Sequence, residues 1–238
     1  MTYTNSPLVT YKRLTKNKTS PRNHKIDTIT IHCVVGQWTA KTGCDYFATT
    51  TNQVSSNYVV GKDGSIGLSV EEKDRSWCSS SPSNDHRAVT IEVASDTTHP
   101  YAVTDKAYEA LVKLVADICK RNGIKKLMWK GDKSLVGQVD KQNMTVHRWF
   151  ANKACPGEYL YSRHGEIADR VNALLGASTA PAAKPHLVRV STSDVVIHKQ
   201  PPIKAIPKGV YTIVEVDGNW GKLKSGEGWI ELTRTKKV

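Results

Sequence analysis

The chain has 238 residues, of which 39% are hydrophobic and 24% are charged, a composition typical of a globular protein with one or two domains. No apolar run approaches the roughly 20 residues of a membrane helix, and the N-terminus lacks the pattern of a secretory signal, so the sequence predicts neither membrane insertion nor signal-driven export. The net charge of +12 either attracts polyanions or mainly keeps the protein soluble.

The first quarter of the chain predicts a basic leader, a strand and a helix. Residues 1–26 carry six Lys/Arg and no acidic residue, which favours a solvated leader. Residues 27–36 include T-I-T-I-H-C-V-V-G, a β-branched run typical of a buried strand. Residues 41–52 carry apolar side chains at helical spacing and predict a short helix.

A hairpin and a further strand are predicted next. Residues 57–61 and 65–68 flank Lys62-Asp63-Gly64, and an Asp-Gly pair is a hairpin signal because it accepts positive φ. Residues 71–86 are polar and contain S-S-S-P-S-N-D, which indicates a loop. Residues 88–94 alternate sufficiently to predict a strand.

The clearest helix covers residues 105–121, where apolar side chains follow the i, i+3, i+4, i+7 rule. Thr104 is the expected N-cap, and Gly123 marks the end of the helix. Residues 124–129 suggest a strand and residues 130–142 a loop. Alternating strands and helices indicate a mixed sheet with helices packed on its faces.

The C-terminal third predicts a second long helix, a linker and a small β domain. Residues 158–175 carry an apolar face that includes His164, which we interpret as a packed histidine. Residues 177–185 have the composition of a linker. Short β-like runs punctuated by Gly, Pro and Asp then fill residues 186–238, as in a small barrel.

The chain has five cysteines, and if Cys155 binds a metal, four remain: Cys33, Cys44, Cys78 and Cys119. They show no disulfide-scaffold spacing, so free buried thiols are expected. A Cys44–Cys78 bridge is the alternative.

One short stretch, T-V-H-R-W-F-A-N-K-A-C-P-G at residues 145–157, suggests a metal site. It contains His147, Lys153 and Cys155, and imidazole and thiolate are ligand types that zinc prefers. A third ligand has to come from elsewhere, and His32 in the first predicted strand is the best candidate. The alternative is that His147 and Cys155 are ordinary buried residues.

Four segments in this order, T-I-T-I-H-C, S-S-N-Y-V-V-G-K-D-G-S-I, A-V-T-I-E-V-A and T-V-H-R-W-F-A-N-K-A-C-P-G, resemble the zinc-dependent N-acetylmuramoyl-L-alanine amidases of the peptidoglycan-recognition-protein superfamily, in particular phage and prophage endolysins. The resemblance covers about residues 20–175. It implies an α/β catalytic domain over residues 1–176, with a central mixed sheet flanked by helices. It also implies that His32, His147 and Cys155 hold Zn²⁺ with a fourth position open.

The resemblance further suggests three catalytic residues. Glu92 matches a general base, Tyr58 a tyrosine that hydrogen-bonds near the zinc water, and Lys153 a basic residue that stabilises the oxyanion. Each has a plain alternative: a carboxylate facing solvent, a half-buried strand aromatic and a solvated loop lysine. Members with a cysteine ligand usually rely on the tyrosine and the lysine, which makes Glu92 the least secure of the three.

Substrate-groove positions are expected at Trp38, Asn57 and Trp149, although Trp149 could equally belong to the core. The C-terminal run V-Y-T-I-V-E-V-D-G-N-W-G-K-L-K-S-G-E-G-W-I resembles the second half of a bacterial Src-homology-3-like domain, a type that often binds cell wall. The first half departs from that family, which puts its ligand in doubt.

The resulting prediction is a monomeric two-domain enzyme that cleaves the amide between N-acetylmuramic acid and L-alanine with a zinc-activated water. Its partners would be peptidoglycan and anionic wall polymers, reached from the bacterial cytoplasm by holin-type or lytic release. The alternative function is a non-catalytic zinc-containing recognition module that binds wall fragments. Specific nucleic-acid binding is not expected, because clustered basic and aromatic residues are missing from the sequence.

Overall fold

A computed structural model describes residues 3–176, 186–190, 196–198, 202–217, 220–226 and 228–238. The chain divides into two units, Met1–Ala177 and Ser178–Val238. The predicted linker at 177–185 lies outside the described residues. Among the helices in these ranges, none combines the length and the apolar character that crossing a bilayer requires.

The first unit contains eight short strands. In chain order they are β1 (Tyr11–Lys12), β2 (Lys18–Thr19), β3 (Thr28–Cys33), β4 (Tyr58–Val60), β5 (Ile66–Leu68), β6 (Arg75–Ser76), β7 (Ala88–Val93) and β8 (Met144–Thr145). Six of them form one sheet in the order β1-β5-β4-β7-β3-β8, and β2 pairs with β6. The β4–β5 pair is the antiparallel hairpin that the Asp-Gly signal predicts, whereas the other ladders of the large sheet are parallel.

Five α-helices accompany the sheet: α1 (Ala40–Thr49), α2 (Pro82–Arg87), α3 (Asp105–Arg121), α4 (Gly157–Tyr161) and α5 (His164–Leu175). Single 3₁₀ turns occur at Lys133–Leu135 and His147–Trp149. The α3 bounds match the prediction. The Thr104 side chain accepts a hydrogen bond from the Ala107 N–H at the start of this helix, and basic residues occupy its last turn, where they favour the helix dipole.

The register of the sheet decides what each face carries. In β3, alternate residues Ile29, Ile31 and Cys33 join the main core with α3 and α5. His32 therefore lies on the opposite face, where Val59 of β4 packs against Cys44 and Phe47 of α1. Both faces of β3 are buried, as is usual for parallel strands.

One loop prediction and one strand prediction are corrected. The segment 71–86 contains β6 and part of α2, whose start is fixed because the Ser81 hydroxyl accepts from the Asn84 N–H and Pro82 occupies the first turn. Residues 124–129 form no strand, and the edge of the sheet beside β3 is supplied by β8.

Two further corrections concern the ends of the domain. The predicted helix at 158–175 is divided into α4 and α5, which are separated by Ser162-Arg163. The predicted leader is packed rather than solvated. Its β1 joins the large sheet, and the buried Arg22 guanidinium donates hydrogen bonds to backbone carbonyls, including those of Glu72 and Asp74.

The second unit is all-β, as predicted. Its strands are β9 (His186–Val190), β10 (Val196–His198), β11 (Pro202–Ala205), β12 (Gly209–Asp217), β13 (Trp220–Leu223), β14 (Trp229–Glu231) and β15 (Thr235–Lys237). They form one sheet in the order β11-β10-β14-β13-β12-β9-β15. The described core residues are small aliphatic side chains: Val190, Ile206, Ile213, Leu223 and Ile230.

Candidate metal centre

His32 stands near the carboxyl end of β3, in the interior of the sheet, and its side chain is fully buried. Carboxyl ends of parallel strands are the usual place for binding sites in α/β folds, because the loops that follow them meet there. The Nδ1 atom of His32 lies 3.3 Å from Sγ of Cys155, and the rings of His32 and His147 are 5.1 Å apart between centroids.

The other two donors come from a loop that folds back on itself after β8. His147 begins a 3₁₀ turn, and the N–H of Arg148 donates to the carbonyl of Cys155 over 3.2 Å. This bond closes the eight-residue gap that separates His147 from Cys155. The structure therefore brings the three predicted ligands together, with their donor atoms all within 4.8 Å of one another.

Both imidazoles in this cluster are held in the neutral form that a metal requires. Burial lowers the pKa of His32 well below its usual value, and the neighbouring His147 lowers it further. Burial and the positive charge of Lys153 lower the pKa of His147. Two neutral imidazoles and one thiol form a donor set suited to zinc, and they leave room for a fourth ligand.

Glu92 lies directly beside His32. The two residues are register partners on neighbouring strands, so their side chains leave the same face of the sheet. Burial raises the pKa of Glu92 to about 8, and its Oε2 atom has no hydrogen-bond partner among the described residues. Its position fits a carboxylate that exchanges a proton at the site, rather than one that faces solvent.

Lys153 is exposed on the loop between His147 and Cys155. Its charge is close enough to His147 to lower the pKa of that imidazole. The structure thus places an exposed cationic side chain at the rim of the cluster.

Tyr58 does not lie at this site. His32, Glu92 and Val59 are register partners on neighbouring strands, so their side chains share one face of the sheet. Tyr58 precedes Val59 and pairs with Ile91, so its side chain points to the opposite face. There its hydroxyl donates to Oε1 of the buried Glu72 over 2.6 Å. The structure corrects the expectation that Tyr58 reaches the metal ligands.

Tyr58→Phe is therefore expected to reduce stability and to leave turnover per folded molecule unchanged. The substitution removes a buried hydrogen bond to a carboxylate, which typically costs about 1.5–3 kcal/mol. Urea unfolding and the rate of wall lysis, measured on the same sample, check the two parts. A large fall in turnover with unchanged stability would return Tyr58 to the catalytic machinery.

Two of the three predicted groove residues are internal. Asn57 is fully buried: its amide Nδ2 donates to the carbonyl of Val70, and its Oδ1 accepts from the N–H of Thr90. Trp149 is buried and stacks on Trp129 with an interplanar angle of 3°. These contacts correct the prediction for both residues. Trp38 is partly exposed in the loop after β3 and stays a prediction.

Sequence reasoning missed the contribution of the segment around α2. Ser80 has a left-handed backbone with a φ of 63°, and its Oγ lies 3.0 Å from Nε2 of His147. Cys78 lies next to Glu92, with 3.9 Å between Sγ and Oε1. The S-S-S-P-S-N-D run carries an N-cap and Pro signal for α2, but nothing local indicates its distant partners.

A network of buried polar side chains connects the elements that carry the metal-ligand candidates. The hydroxyls of Thr30 and Thr145 lie 2.7 Å apart. The Asn84 amide donates to Thr30 over 3.1 Å and accepts from Thr145 over 2.9 Å. These bonds join β3, β8 and α2. They fix the position of β3, which carries His32, and of β8, which precedes His147.

His164 is a packed histidine, as predicted. Its Nδ1 lies 2.7 Å from the carbonyl of Leu160, and its ring contacts Trp129 with 4.6 Å between centroids. Burial lowers the pKa of His164 to about 4. The unfolded chain therefore binds more protons than the folded one below about pH 6.5, so this residue makes stability fall as the pH drops toward 4.

We expect His164→Gln to reduce the acid sensitivity of the fold. At pH 5 His164 is protonated in the unfolded state but largely neutral in the folded state. This difference lowers the free energy of unfolding by about 2 kcal/mol relative to pH 7.5. Urea midpoints at the two pH values should differ less in the variant than in the parent. Equal pH dependence in both proteins would contradict the lowered pKa.

The comparisons with known proteins agree with this architecture. The profile of the N-acetylmuramoyl-L-alanine amidase family matches residues 22–158. AmpD, solved as a selenomethionine derivative, is 17% identical with a TM-score of 0.52 over 71% of this chain and 99% of that chain. The Staphylococcus aureus hydrolase AmiA, solved with its ligand, is 18% identical with a TM-score of 0.50 over 72% of this chain and 86% of that chain.

At these identities the solved structures show a shared fold and nothing finer. A search of curated proteins finds no significant match to this chain. The family profile spans more than half of the sequence and includes His32, Glu92, His147 and Cys155. The chain belongs to the N-acetylmuramoyl-L-alanine amidase family.

Proposed function

We propose that this protein is a zinc-dependent peptidoglycan amidase that hydrolyses the bond between N-acetylmuramic acid and L-alanine of the stem peptide. The observation that carries the proposal is the convergence of His32, His147 and Cys155 beside a buried carboxylate. Family membership supports the bond type, and three ligands with room for a fourth are typical of a catalytic rather than a structural zinc site.

His32, His147 and Cys155 would hold the ion. Zinc supplies a Lewis acid that polarises a carbonyl and lowers the pKa of water to about 7. The 3.3 Å approach between Nδ1 of His32 and Sγ of Cys155 fits a pair of donor atoms that face a shared cation.

Glu92 would act as the general base and then as the general acid. Its carboxylate takes a proton from the attacking water and delivers it to the nitrogen of the departing L-alanine. A cation held by the adjacent ligands favours the ionised carboxylate, which offsets the upward pKa shift caused by burial. The Oε2 atom of Glu92 is shielded from solvent, while the residue as a whole is only partly buried.

Lys153 would stabilise negative charge on the former carbonyl oxygen. Its ammonium group is exposed at the rim and free to reach a bound substrate, and its charge already acts on His147. Such a donor is most effective where charge develops in the transition state.

Lys153→Ala should keep zinc and lose about 10²–10³ in kcat, the typical effect of removing one oxyanion donor. Lys153→Arg, which keeps the charge, should recover part of the rate. Lys130→Ala, a lysine outside the 147–155 loop, serves as the matched control. Steady-state lysis and metal analysis of the four proteins separate the outcomes, and a parental rate in Lys153→Ala would exclude the role.

The second unit would hold the enzyme on the wall as a Src-homology-3-like domain. Trp220 is 36% exposed, and the Lys222 ammonium lies 5.7 Å from the ring centroid of the partly exposed Trp229. Aromatic and cationic groups on neighbouring strands suit a polymer that carries sugars and phosphates. A phage or prophage endolysin of this kind would reach its substrate by holin-type or lytic release.

Mass spectrometry of purified peptidoglycan after digestion tests the proposal. The expected products are stem peptides with a free L-alanine amino terminus and glycan strands with unmodified lactyl carboxylates. The second candidate, a zinc-containing module that only binds wall fragments, predicts wall retention with no new amino termini. Cleavage at a glycosidic or inter-peptide bond would refute both.

A further inference from the structure

A second group of metal-ligating side chains lies beside the first. It consists of His32, Cys78 and Glu92, whose donor atoms all lie within 4.8 Å of one another. Cys78 is held in place because its backbone N–H donates to the Asp85 carboxylate over 3.0 Å. The thiol therefore comes from a fixed position between β6 and α2, on the side of Glu92.

Two atoms of this group are buried without a partner among the described residues. They are Nε2 of His32 and Oε2 of Glu92. Unpaired buried polar atoms are rare because they forgo hydrogen bonds to water. Since Nδ1 of His32 faces Cys155, the second nitrogen of the same ring has no assigned role in the first donor set.

We propose that His32, Cys78 and Glu92 form a second binding position for a thiophilic divalent cation such as Zn²⁺, Co²⁺ or Cd²⁺. Thiolate, imidazole and carboxylate together are ligands that these ions accept. Binding displaces into solvent the protons of the Cys78 thiol and the Glu92 carboxyl, and also the Nε2 proton of His32 when Nδ1 holds the first ion. This position shares His32 with the first donor set and Glu92 with the proposed hydrolysis, and Cys78 is the ligand that it adds.

This position would be inhibitory. An ion held there ties up the Glu92 carboxylate, so the carboxylate can no longer accept a proton from water. It also binds a ring nitrogen of His32, a residue that belongs to the first donor set as well. A cation in excess over the first equivalent should therefore reduce turnover.

Cobalt spectroscopy tests the site without reference to activity. In full-length Cys155→Ser, the first set has lost its sulfur, so a thiolate-to-cobalt charge-transfer band must come from another cysteine. We expect this band in Cys155→Ser, its loss in Cys155→Ser/Cys78→Ser, and its retention in Cys155→Ser/Cys33→Ser. Absence of the band in Cys155→Ser, or its persistence without Cys78, would overturn the proposal.

A carboxylate variant covers the case in which the double variant does not fold. Cys155→Ser/Glu92→Gln keeps the Cys78 thiol and removes one ligand, so its cobalt affinity should fall at least tenfold relative to Cys155→Ser. Circular dichroism confirms that each variant is folded. An unchanged affinity would remove Glu92 from the site.

Inhibition supplies an independent readout. The parent should lose at least nine-tenths of its turnover in excess zinc, and Cys78→Ser should need at least tenfold more zinc for the same loss. Cys44→Ser is the control, because Cys44 is buried against Phe47 and Val59. If no protein in the series hydrolyses peptidoglycan, the proposed function fails while the cobalt result still decides the second site.

Discussion

Cys155→Ser is expected to abolish cleavage and to lose the zinc of the first donor set. Cys155 supplies the only sulfur of the first donor set, and its Sγ lies 3.3 Å from Nδ1 of His32. A serine hydroxyl does not ionise at neutral pH and is a poor zinc ligand. The remaining two imidazoles cannot hold the ion, so zinc per chain should fall from about one equivalent to a small fraction of that in Cys155→Ser/Cys78→Ser, where the second position is removed as well.

Elemental analysis after gel filtration and lysis of purified walls measure the two effects together. Turnover should fall by at least about a thousandfold, because both polarisation of the carbonyl and activation of water are lost. Cys119→Ser is the control, since Cys119 is buried in α3 and belongs to the main core. A Cys155→Ser protein that keeps zinc and parental turnover would exclude Cys155 as a ligand.

Glu92→Gln should have the second-largest effect on turnover, and unlike Cys155→Ser it should keep the zinc of the first donor set. Glutamine has nearly the same shape as glutamate but cannot accept a proton, so zinc should remain bound while kcat falls by about 10²–10⁴. Glu92 is the only carboxylate in the two donor clusters found among the described residues, so no neighbouring carboxylate is placed to substitute for it.

Glu158→Gln is the matched control for Glu92→Gln. Its side chain is 51% exposed, on α4, and its loss should leave kcat within about twofold of the parent. Comparing kcat and zinc content of the two variants isolates the buried carboxylate. A Glu92→Gln enzyme as fast as the parent would falsify the proton-transfer role.

The ligand set could be predicted because its residues carry local signals. His32 stands in a β-branched run, and His147 and Cys155 lie in one short loop that ends in Pro-Gly. These patterns specify a strand and a turn before any tertiary contact is known. The same holds for α3, whose cap and apolar stripe define its bounds.

Tyr58 shows where this reasoning fails. Residues 55–60 are buried throughout, so the strand does not show the alternation that distinguishes one face from the other. With a period of two, an error of one position moves a side chain to the opposite face of the sheet. The family resemblance places Tyr58 beside the metal ligands, whereas its register with Ile91 places the side chain in the core on the opposite face of the sheet.

The contacts of the segment around α2 cannot be predicted from the sequence for a different reason. Cys78 and Ser80 reach Glu92 and His147 across the fold, at separations of 14 and 67 residues. The packing of the N-terminal segment is likewise long-range, since Arg22 bonds to carbonyls 50 or more residues away. Periodicity and turn chemistry carry no information on such pairs.

Zinc K-edge X-ray absorption on the full-length protein loaded with one equivalent tests the central claim most directly. The account predicts a first shell of two imidazole nitrogens, one sulfur at about 2.3 Å and one light atom from outside the protein. The shell should lose its sulfur in Cys155→Ser/Cys78→Ser and keep it in Cys78→Ser. A shell without sulfur, or one closed by a fourth side chain, would contradict a catalytic ion held by His32, His147 and Cys155.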